Sequence, residues 1–343
     1  MRPFELIKAR DATHSIALTA EPLTANVPLA STVQYLAGGT NLIDLMKLEV
    51  ATPSFLIDLA ALADGYGAIE ANSNGLRMGA FVRMAQAEDH PLLRGAYPVL
   101  SDALHMAASP QLRNMATLGG NVLQRTRCNY FRDTSWQACN KRQPGSGCAA
   151  IGGVNRRLAV LGVSPNCIAN YPGDFGIALV ALGASVEVLG KDGQLRRILF
   201  EDLHRTPGDT PHLETNLATN ELIVAVAVPA GPWTRRSLFL KIRDRASYDF
   251  ALASAAVALE LDTNGVVVTA RIGLGGLVAK PWRAHVAEDV LTGRRLNEAS
   301  AREAAEAAFV DATVHEGTKF KPELGRQTLT RALLQAADME ILP

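Results

Sequence analysis

The sequence predicts an α+β protein built from two parts. Strand-like apolar runs alternate with helical patterns through residues 1–230, whereas residues 231–343 carry three strand-like runs and then two helical segments. A Pro-Ala-Gly-Pro stretch at 229–232 separates the two parts, and such a density of proline and glycine is typical of a domain boundary. We therefore expect an N-terminal domain, divided into subdomains at about 1–60 and 61–230, and a C-terminal domain at 231–343.

Short elements follow one another in the first part. A βα pattern opens the chain, and helical spacing of apolar residues predicts a helix at 98–107. Lys191-Asp192-Gly193 lies between two apolar runs, as the turn of a β-hairpin does. The other strands are expected near 4–8, 33–37, 55–59, 76–81, 157–163 and 221–229.

The second part has a different order of elements. Its strand-like runs are SLFLKIR at 237–243, FALASAAVALEL at 250–261 and GVVVTARIGLG at 265–275. Helical patterns follow at 297–309 and 323–338. Strands followed by helices predict an antiparallel sheet that is covered by helices.

Composition excludes several classes of function. The 343 residues include 34 basic and 34 acidic side chains, so nothing suggests a nucleic acid or an anionic membrane as partner. The first residues, MRPFELIKARDATHS, alternate charged and apolar side chains and do not predict a secretory signal, and no membrane span is expected. None of the seven histidines has a paired metal-binding spacing, and no nucleophile-elbow motif occurs.

All four cysteines fall within one 40-residue window. They are Cys128, Cys139, Cys148 and Cys167, with the spacing C-x10-C-x8-C-x18-C. The first three lie in a loop-like stretch, and a compact domain rarely carries so long a loop unless something fixes it. Two disulfides, a tetrahedral zinc ion or a four-cysteine iron–sulfur cluster would each do so.

Basic residues crowd the cysteine window, and a single acid, Asp133, accompanies them. Such an excess of positive charge is what a buried group of thiolates requires. Zinc ligands usually come in close pairs, whereas long irregular spacings suit an iron–sulfur cluster. Iron–sulfur is therefore favoured, with zinc and disulfides as open alternatives. The basic residues are Arg125, Arg127, Arg132, Lys141, Arg142, Arg156 and Arg157.

Two glycine loops predict a site for an extended pyrophosphate. Residues 33–47 read as a strand, the turn Gly38-Gly39-Thr40-Asn41 and the start of a helix, and 107–121 supply a second loop. Glycine lets the backbone approach a ligand closely, and the first N–H groups of a helix face an anion. Neither loop has the spacing of the dinucleotide fingerprint or of the P-loop, so an ordinary βα turn is the alternative interpretation of the first.

Four stretches resemble the flavoprotein (medium) subunit of molybdenum hydroxylases, the xanthine dehydrogenase family. They are AGGTNLIDLMK at 37–47, ASPQLRNMATLGGN at 108–121, PGDFGIALVALGASVEV at 172–188 and GLGGLVAKPWRA at 273–284. The insertion at 122–170, which bears the cysteines, is similar to that in the flavin subunit of bacterial periplasmic aldehyde oxidoreductases and, more distantly, of 4-hydroxybenzoyl-CoA reductase. The resemblance implies a two-part FAD-binding domain of the vanillyl-alcohol-oxidase and CO-dehydrogenase flavoprotein type and a CO-dehydrogenase-flavoprotein-like C-terminal domain.

The same resemblance implies two cofactors, FAD and a [4Fe–4S] cluster. Each of the four cysteines would bind one iron of the cluster. Residues 35–42 would wrap the FAD pyrophosphate, and 117–121 would close over it. The residues expected to contact FAD are Tyr35, Leu36, Ala37, Gly38, Gly39, Thr40, Asn41, Leu42, Ser109, Thr117, Leu118, Gly119, Gly120, Asn121, Asp174, Ile223, Lys241 and Asp249.

Three of these residues have an alternative interpretation. Asp174 would reach the flavin-side hydroxyls, but it also precedes a helical pattern, where an aspartate caps unpaired N–H groups without any ligand. Lys241 and Asp249 would lie where the C-terminal domain approaches the isoalloxazine ring, and a surface ion pair is the alternative.

The resemblance implies an electron-transfer subunit of an aldehyde oxidoreductase. FAD would receive electrons, through [2Fe–2S] centres of a small partner, from a molybdenum cofactor in a large partner, and an external acceptor would take them up. No residue of this chain would be catalytic. The alternative is a stand-alone flavoenzyme of the same fold with a structural zinc site. We also expect a periplasmic location, reached by co-export with a signal-bearing partner, with the cytoplasm as the alternative.

Overall fold

A computed structural model describes residues 1–19, 29 and 31–341. Three β-sheets organise the described residues. They are a small parallel sheet near the N-terminus, a five-stranded antiparallel sheet and a four-stranded antiparallel sheet near the C-terminus. The α+β fold class is thereby confirmed.

The N-terminal sheet has the strand order β1-β3-β2. Its strands are β1 (Glu5–Lys8), β2 (Val33–Leu36) and β3 (Phe55–Asp58), all parallel, and the helices beside them are α1 (Ala12–Ala17) and α2 (Leu42–Lys47). Parallel strands end at a common edge of their sheet, and β2 runs at that edge directly into the first glycine loop.

The five-stranded sheet is assembled from distant segments. Its strands are β4 (Ile69–Asn72), β5 (Gly75–Gly79), β6 (Ser185–Leu189), β7 (Leu195–Leu199) and β8 (Leu222–Pro229), in the order β4-β5-β8-β6-β7. Every neighbouring pair is antiparallel. The strand that ends this part of the chain therefore lies at the centre of the sheet.

Short helices fill the chain around these strands. The longest, α10, is apolar on all sides and fully buried, and it ends where Gly183 adopts the left-handed conformation with φ of 66°. Further helices are α3 (Ala63–Tyr66), α4 (Met84–Glu88), α5 (Pro91–Ala96), α6 (Pro98–His105), α7 (Pro110–Met115), α8 (Leu118–Val122), α9 (Asn129–Arg132), α10 (Asp174–Leu182) and α11 (Phe200–Leu203).

The C-terminal sheet follows the expected order of strands and then helices. Its strand order is β12-β11-β10-β9, and both α10 and α14 pack against β10. The elements are β9 (Ser237–Ile242), β10 (Ala253–Leu261), β11 (Val267–Gly275), β12 (Trp282–Arg283), α12 (His285–Leu291), α13 (Glu298–Ala307) and α14 (Lys321–Ala337).

Two apolar clusters form the interior. The larger cluster is continuous from α10 into both antiparallel sheets, as Phe175, Val226 and Ala256 show. The second cluster joins the small parallel sheet to the cysteine window and contains Leu56 and Phe131. The cysteine window therefore packs beside the first glycine loop and not at the periphery.

One predicted element is wrong. Residues 157–163 form no strand, although 158–161 are buried. The backbone N–H of Val160 donates to the carbonyl of Leu277 at 2.8 Å, and Leu161 forms a single bridge with Val278. Loop-to-loop contacts, and not a sheet, thus bury this apolar run. The hairpin at 191–193 and the other predicted strands and helices are confirmed within a few residues.

No helix in the described part of the chain is long and apolar enough to cross a membrane.

A buried lysine makes stability depend on pH. Lys321 begins α14 with no exposed surface, and its Nζ donates to the carbonyl of Gly276 at 2.8 Å. Burial, helped by the charges of Arg156 and Arg157, lowers the pKa of Lys321 to about 7. The unfolded chain therefore binds more protons than the folded chain between this pKa and the ordinary one of 10.5, and stability rises with pH in that window.

We compare the melting temperatures of the wild type and Lys321→Met. The wild-type value minus the variant value should increase by up to about 5 °C between pH 7 and pH 9. The difference between the two proteins cancels the titration of all other groups. Scanning fluorimetry at both pH values measures it, and a difference that does not change with pH contradicts the assignment.

Candidate functional site

A cavity of about 290 Å³ lies where the two glycine loops meet the five-stranded sheet. Its walls come from β2 with the loop that follows it, from the start of α8, and from the start of β8. Separate parts of the chain thus meet at one concave site.

The first glycine loop leaves no space for a side chain at Gly38. A Cβ atom there would lie 2.2 Å from the carbonyl oxygen of Met115, which also accepts a hydrogen bond from the Arg83 guanidinium. Gly39 has φ of 72°, a conformation that favours glycine, and its carbonyl accepts from the N–H of Ile43 as α2 begins. Gly38 therefore lets the two loops touch through their backbones, and Gly39 lets the chain turn into α2.

The second glycine loop is held in place by hydrogen bonds within it and to Ala80. Thr117 caps α8, with its Oγ1 accepting from the N–H of Gly120 at 3.2 Å. The N–H of Gly119 donates to the carbonyl of Ala80 at 2.8 Å, and a Cβ on Gly119 would lie 2.9 Å from the Cβ of Ala80. The loop is thus held against the end of β5, with little freedom to withdraw from the cavity.

Two buried amide atoms beside the cavity have no hydrogen-bond partner among the described residues. Asn41 uses its Oδ1 to accept from the N–H of Arg125 at 3.0 Å, which leaves its Nδ2 unpaired. Asn121 uses its Nδ2 on the sulfur of Met84, which leaves its Oδ1 unpaired. Buried polar atoms rarely lack a hydrogen-bond partner. The two unpaired amide atoms and the glycine loops therefore fit a polar ligand such as FAD.

The structure brings most of the expected FAD contacts to this cavity. Leu36, Leu118 and Asn121 are next to lining residues in the chain without lining it, and Ser109 caps α7. Asp174, Lys241 and Asp249 do not line the cavity. The expected residues that do line it are Tyr35, Ala37, Gly38, Gly39, Thr40, Asn41, Leu42, Thr117, Gly119, Gly120 and Ile223.

Asp174 and Lys241 form a buried ion pair. The Nζ of Lys241 lies 2.7 Å from Oδ2 of Asp174 and 3.0 Å from the carbonyl oxygen of Met106, and the two side chains are 1% and 6% exposed. Burial raises the pKa of Asp174 and the charge of Lys241 opposes that shift. Gly173, and not Asp174, is the helix cap, so the capping interpretation is wrong, as is the idea that Lys241 lies at the surface.

Asp249 does not pair with Lys241 but with an arginine of the cysteine window. Its Oδ1 accepts from Arg157 at 2.7 Å, and this arginine also contacts Asp244 at 2.8 Å. The Arg157 guanidinium lowers the pKa of Asp249 chiefly through these hydrogen bonds. The pair connects the cysteine window to the loop between β9 and β10.

The four cysteines are all free thiols, so the disulfide alternative is wrong. Cys128, Cys139 and Cys167 are buried in the second apolar cluster, and Cys148 is partly buried against it. Cys139 and Cys148 face each other in an antiparallel bridge. Four cysteines spread over 40 residues of the sequence therefore lie in one apolar region.

Burial controls the chemistry of these thiols. It raises the pKa of Cys128 to about 12 and that of Cys167 to about 11, with the charge of Lys141 opposing the shift at Cys167. Any metal bound here must therefore displace protons from neutral thiols. Among residues 1–19, 29 and 31–341, no three His, Cys, Asp or Glu side chains are placed to hold a single metal ion.

The basic residues of the cysteine window do not balance the thiols as expected. Most are paired with carboxylates from distant segments and are not free to neutralise thiolates. Lys141 is the exception, because its charge still opposes the pKa shift of Cys167. Arg142 instead donates to backbone carbonyls within 130–136, and Arg127 lies over the ring of Phe250. The pairs are Arg125 and Lys141 with Glu214, Arg132 with Asp44, Arg156 with Asp244, and Arg157 with Asp244 and Asp249.

Several residues of the cavity had no signal in the sequence. The sequence groups Arg125 with the cysteines, yet it lines the cavity. Glu221 lies next to Leu222, the first residue of β8, and reaches the cavity only because β8 is the central strand of its sheet. The lining residues that were not predicted are Leu29, Gln34, Leu45, Ala51, Leu59, Ala80, Phe81, Leu123, Arg125, Leu217, Glu221 and Leu222.

Comparison with known proteins decides the family. Residues 2–231 match the family model of the FAD binding domain in molybdopterin dehydrogenase, and 239–339 match that of the CO dehydrogenase flavoprotein C-terminal domain. The chain belongs to the family of FAD-binding subunits of molybdenum hydroxylases. The glycine-lined cavity is therefore its candidate FAD pocket.

Individual relatives support this assignment. The aldehyde oxidoreductase FAD-binding subunit PaoB of Escherichia coli (strain K12) is 46% identical over 304 residues, 88% of this chain and 91% of PaoB. The carbon monoxide dehydrogenase medium chain of Afipia carboxidovorans is 26% identical and covers 92% of this chain and 93% of its own. A carbon monoxide dehydrogenase structure from Hydrogenophaga pseudoflava shares the fold, with a TM-score of 0.73, 23% identity and coverage of 98% and 97%.

We expect Gly39→Asp to abolish FAD binding, because it adds a side chain and a negative charge where the backbone is predicted to face the pyrophosphate. The flavin content of the purified chain measures this. Gly265→Asp is the matched control, since Gly265 has a similar φ of 75° and no neighbour within 4 Å of an added Cβ. Full flavin occupancy in Gly39→Asp would place the cofactor elsewhere.

Proposed function

We propose that this chain is the electron-transfer flavoprotein subunit of a heterotrimeric, molybdenum-dependent aldehyde oxidoreductase. In this proposal it takes electrons from [2Fe–2S] centres of a small subunit and delivers them to an external acceptor, and the large subunit carries the molybdenum cofactor. The 46% identity to an aldehyde oxidoreductase FAD-binding subunit is the observation that favours an aldehyde oxidoreductase over other members of the family.

The ionisable groups of the cavity support a binding role over substrate chemistry. Arg125 is paired with Glu214, and Glu221 is paired with Arg196 at 2.6 Å. Burial raises the pKa of Tyr35, so this phenol holds its proton. A general acid or base needs a pKa near the working pH, but the pKa of Tyr35 is raised and hydrogen bonds from Arg196 lower the pKa of Glu221. FAD supplies the redox chemistry of the subunit when it is bound, and the chain holds and shields it.

We further propose that Cys128, Cys139, Cys148 and Cys167 bind a [4Fe–4S] cluster. All four are free thiols grouped in an apolar region, and the N–H of Ala169 lies 3.5 Å from the sulfur of Cys167. A single zinc ion with bonds of about 2.3 Å needs its sulfurs within about 4 Å of one another. A four-iron cluster takes one thiolate on each iron and spaces the sulfurs more widely than a single ion does.

We also propose a periplasmic location, reached by co-export of the folded chain with a partner that bears a twin-arginine signal. The resemblance to flavin subunits of periplasmic aldehyde oxidoreductases supports it. Fractionation of cells with and without the large subunit tests it. The proposal requires this chain in the periplasm only when the large subunit is present.

We expect Cys139→Ser to remove about four irons from each chain while FAD remains bound. Iron analysis and flavin absorbance on the same sample measure both cofactors. Gly39→Asp should show the reverse, with iron retained and flavin lost, so the two variants control each other. Unchanged iron in Cys139→Ser refutes the cluster, and zinc in place of iron in the wild type supports the structural-zinc alternative.

We expect an affinity-tagged chain, isolated from cells that express its partners, to bring two other polypeptides with it. The complex should contain molybdenum and about eight irons, four from this chain and four from two [2Fe–2S] centres. Metal analysis and denaturing electrophoresis measure this. A chain that purifies alone and oxidises aldehydes without molybdenum contradicts the proposed role.

A further inference from the structure

Glu214 lies between the FAD pocket and the cysteine window. Its Oε2 is 2.5 Å from the Arg125 guanidinium, and its Oε1 is 2.7 Å from the Nζ of Lys141. Glu214 belongs to neither site in the sequence, being in the loop between α11 and β8. One carboxylate thus contacts cations from both sides.

Arg125 is the pocket side of this bridge. Its side chain is 15% exposed and lines the cavity, and its backbone N–H donates to Oδ1 of Asn41 in the first glycine loop. The guanidinium also lies 5.5 Å from the ring centre of Phe131. The position of Arg125 therefore affects both the cavity wall and the first glycine loop.

Lys141 is the cysteine side of the bridge. It follows Cys139 by two residues, and its side chain is 11% exposed. Besides Glu214, its Nζ donates to the carbonyl of Pro211 at 3.2 Å. Both contacts of its ammonium group thus lie in the 211–214 loop, which anchors the cysteine window.

The charges of this bridge depend on one another. Burial by itself raises the pKa of Glu214, but the charges of Arg125 and Lys141 outweigh it, so the pKa is lowered and the carboxylate is ionised. Removing the carboxylate leaves two cations close together without a counter-ion. Removing one charge from a buried group of this kind destabilises the fold far more than losing an exposed ion pair does.

We infer that Glu214 is a positioning residue that couples the FAD pocket to the cysteine window through Arg125 and Lys141. FAD that fixes Arg125 also fixes Glu214 and Lys141, and so restrains the chain around Cys139. By reciprocity, a restrained cysteine window favours FAD binding by the same factor. The inference needs FAD binding but not the proposed iron–sulfur cluster.

Hydrogen exchange of the full-length chain tests this coupling directly. In the wild type, FAD should slow amide exchange in peptides covering 138–149 by about tenfold compared with flavin-free protein of equal iron content. In Glu214→Gln this slowing should disappear, and the dissociation constant of FAD should rise about tenfold because Arg125 loses its charged partner.

Two further variants make the result specific. Glu187→Gln is the matched control, because Glu187 also bridges two cations, Arg77 at 2.9 Å and Arg197 at 3.0 Å, and does not line the cavity. It should keep the wild-type response to FAD. Lys141→Met should lose the slowing in 138–149 while the FAD dissociation constant changes less than about twofold, since Arg125 keeps its partner. This variant carries the test alone if Glu214→Gln does not fold.

The ratio of exchange rates with and without FAD separates coupling from general stability. A merely structural carboxylate would speed exchange equally in both states and leave the ratio unchanged. Coupling through Glu214 is overturned if FAD has no effect on 138–149 in the wild type. It is also overturned if both Glu214→Gln and Lys141→Met respond to FAD as the wild type does. The iron content of the same samples reports on the proposed cluster separately.

Discussion

The contact between the two glycine loops is the constraint on which the FAD pocket depends. A Cβ on Gly38 would lie 2.2 Å from the carbonyl of Met115, and one on Gly119 would lie 2.9 Å from Ala80. Gly38 thus meets the backbone of the second loop, and the N–H of Gly119 donates to the carbonyl of Ala80 at 2.8 Å. Such close backbone packing is the arrangement that lets successive N–H groups reach an anionic ligand. Because β2 and β5 lie in different sheets, this contact also joins the small parallel sheet to the five-stranded sheet at the pocket.

The cysteine window is attached to the rest of the molecule by charges more than by secondary structure. Residues 123–170, all of which the structure describes, contain one helix, the four-residue α9. Arg132, Lys141 and Arg157 each reach a carboxylate of a different segment, namely Asp44, Glu214 and Asp249. Exposed pairs of this kind contribute up to about 1 kcal/mol each. The better buried Lys141 pair and the apolar cluster around Phe131 therefore hold most of the segment in place.

The sequence predicts those elements whose pattern lies within a few consecutive residues. The glycine loops, the 191–193 turn and the C-terminal strands each carry a local pattern, and each has the predicted form. The run at 157–163 has the apolar pattern of a strand, but only the arrival of 277–278 decides that it becomes a buried loop. The acids that neutralise Arg132 and Arg156 lie 88 residues away in the sequence. No spacing within the cysteine window indicates such partners.

One buried interaction, besides the shared apolar core, helps to fix the C-terminal sheet against α10. Lys241 of β9 places its ammonium group between Asp174 of α10 and the carbonyl of Met106, and both charged side chains are almost fully enclosed. Removing one partner of such a pair costs about 3–5 kcal/mol, because the other is left buried and charged. Rotation of β9 away from α10 would break the same pair and carry a similar cost. The pair therefore helps to hold the C-terminal sheet in a fixed position against the FAD-binding part of the chain.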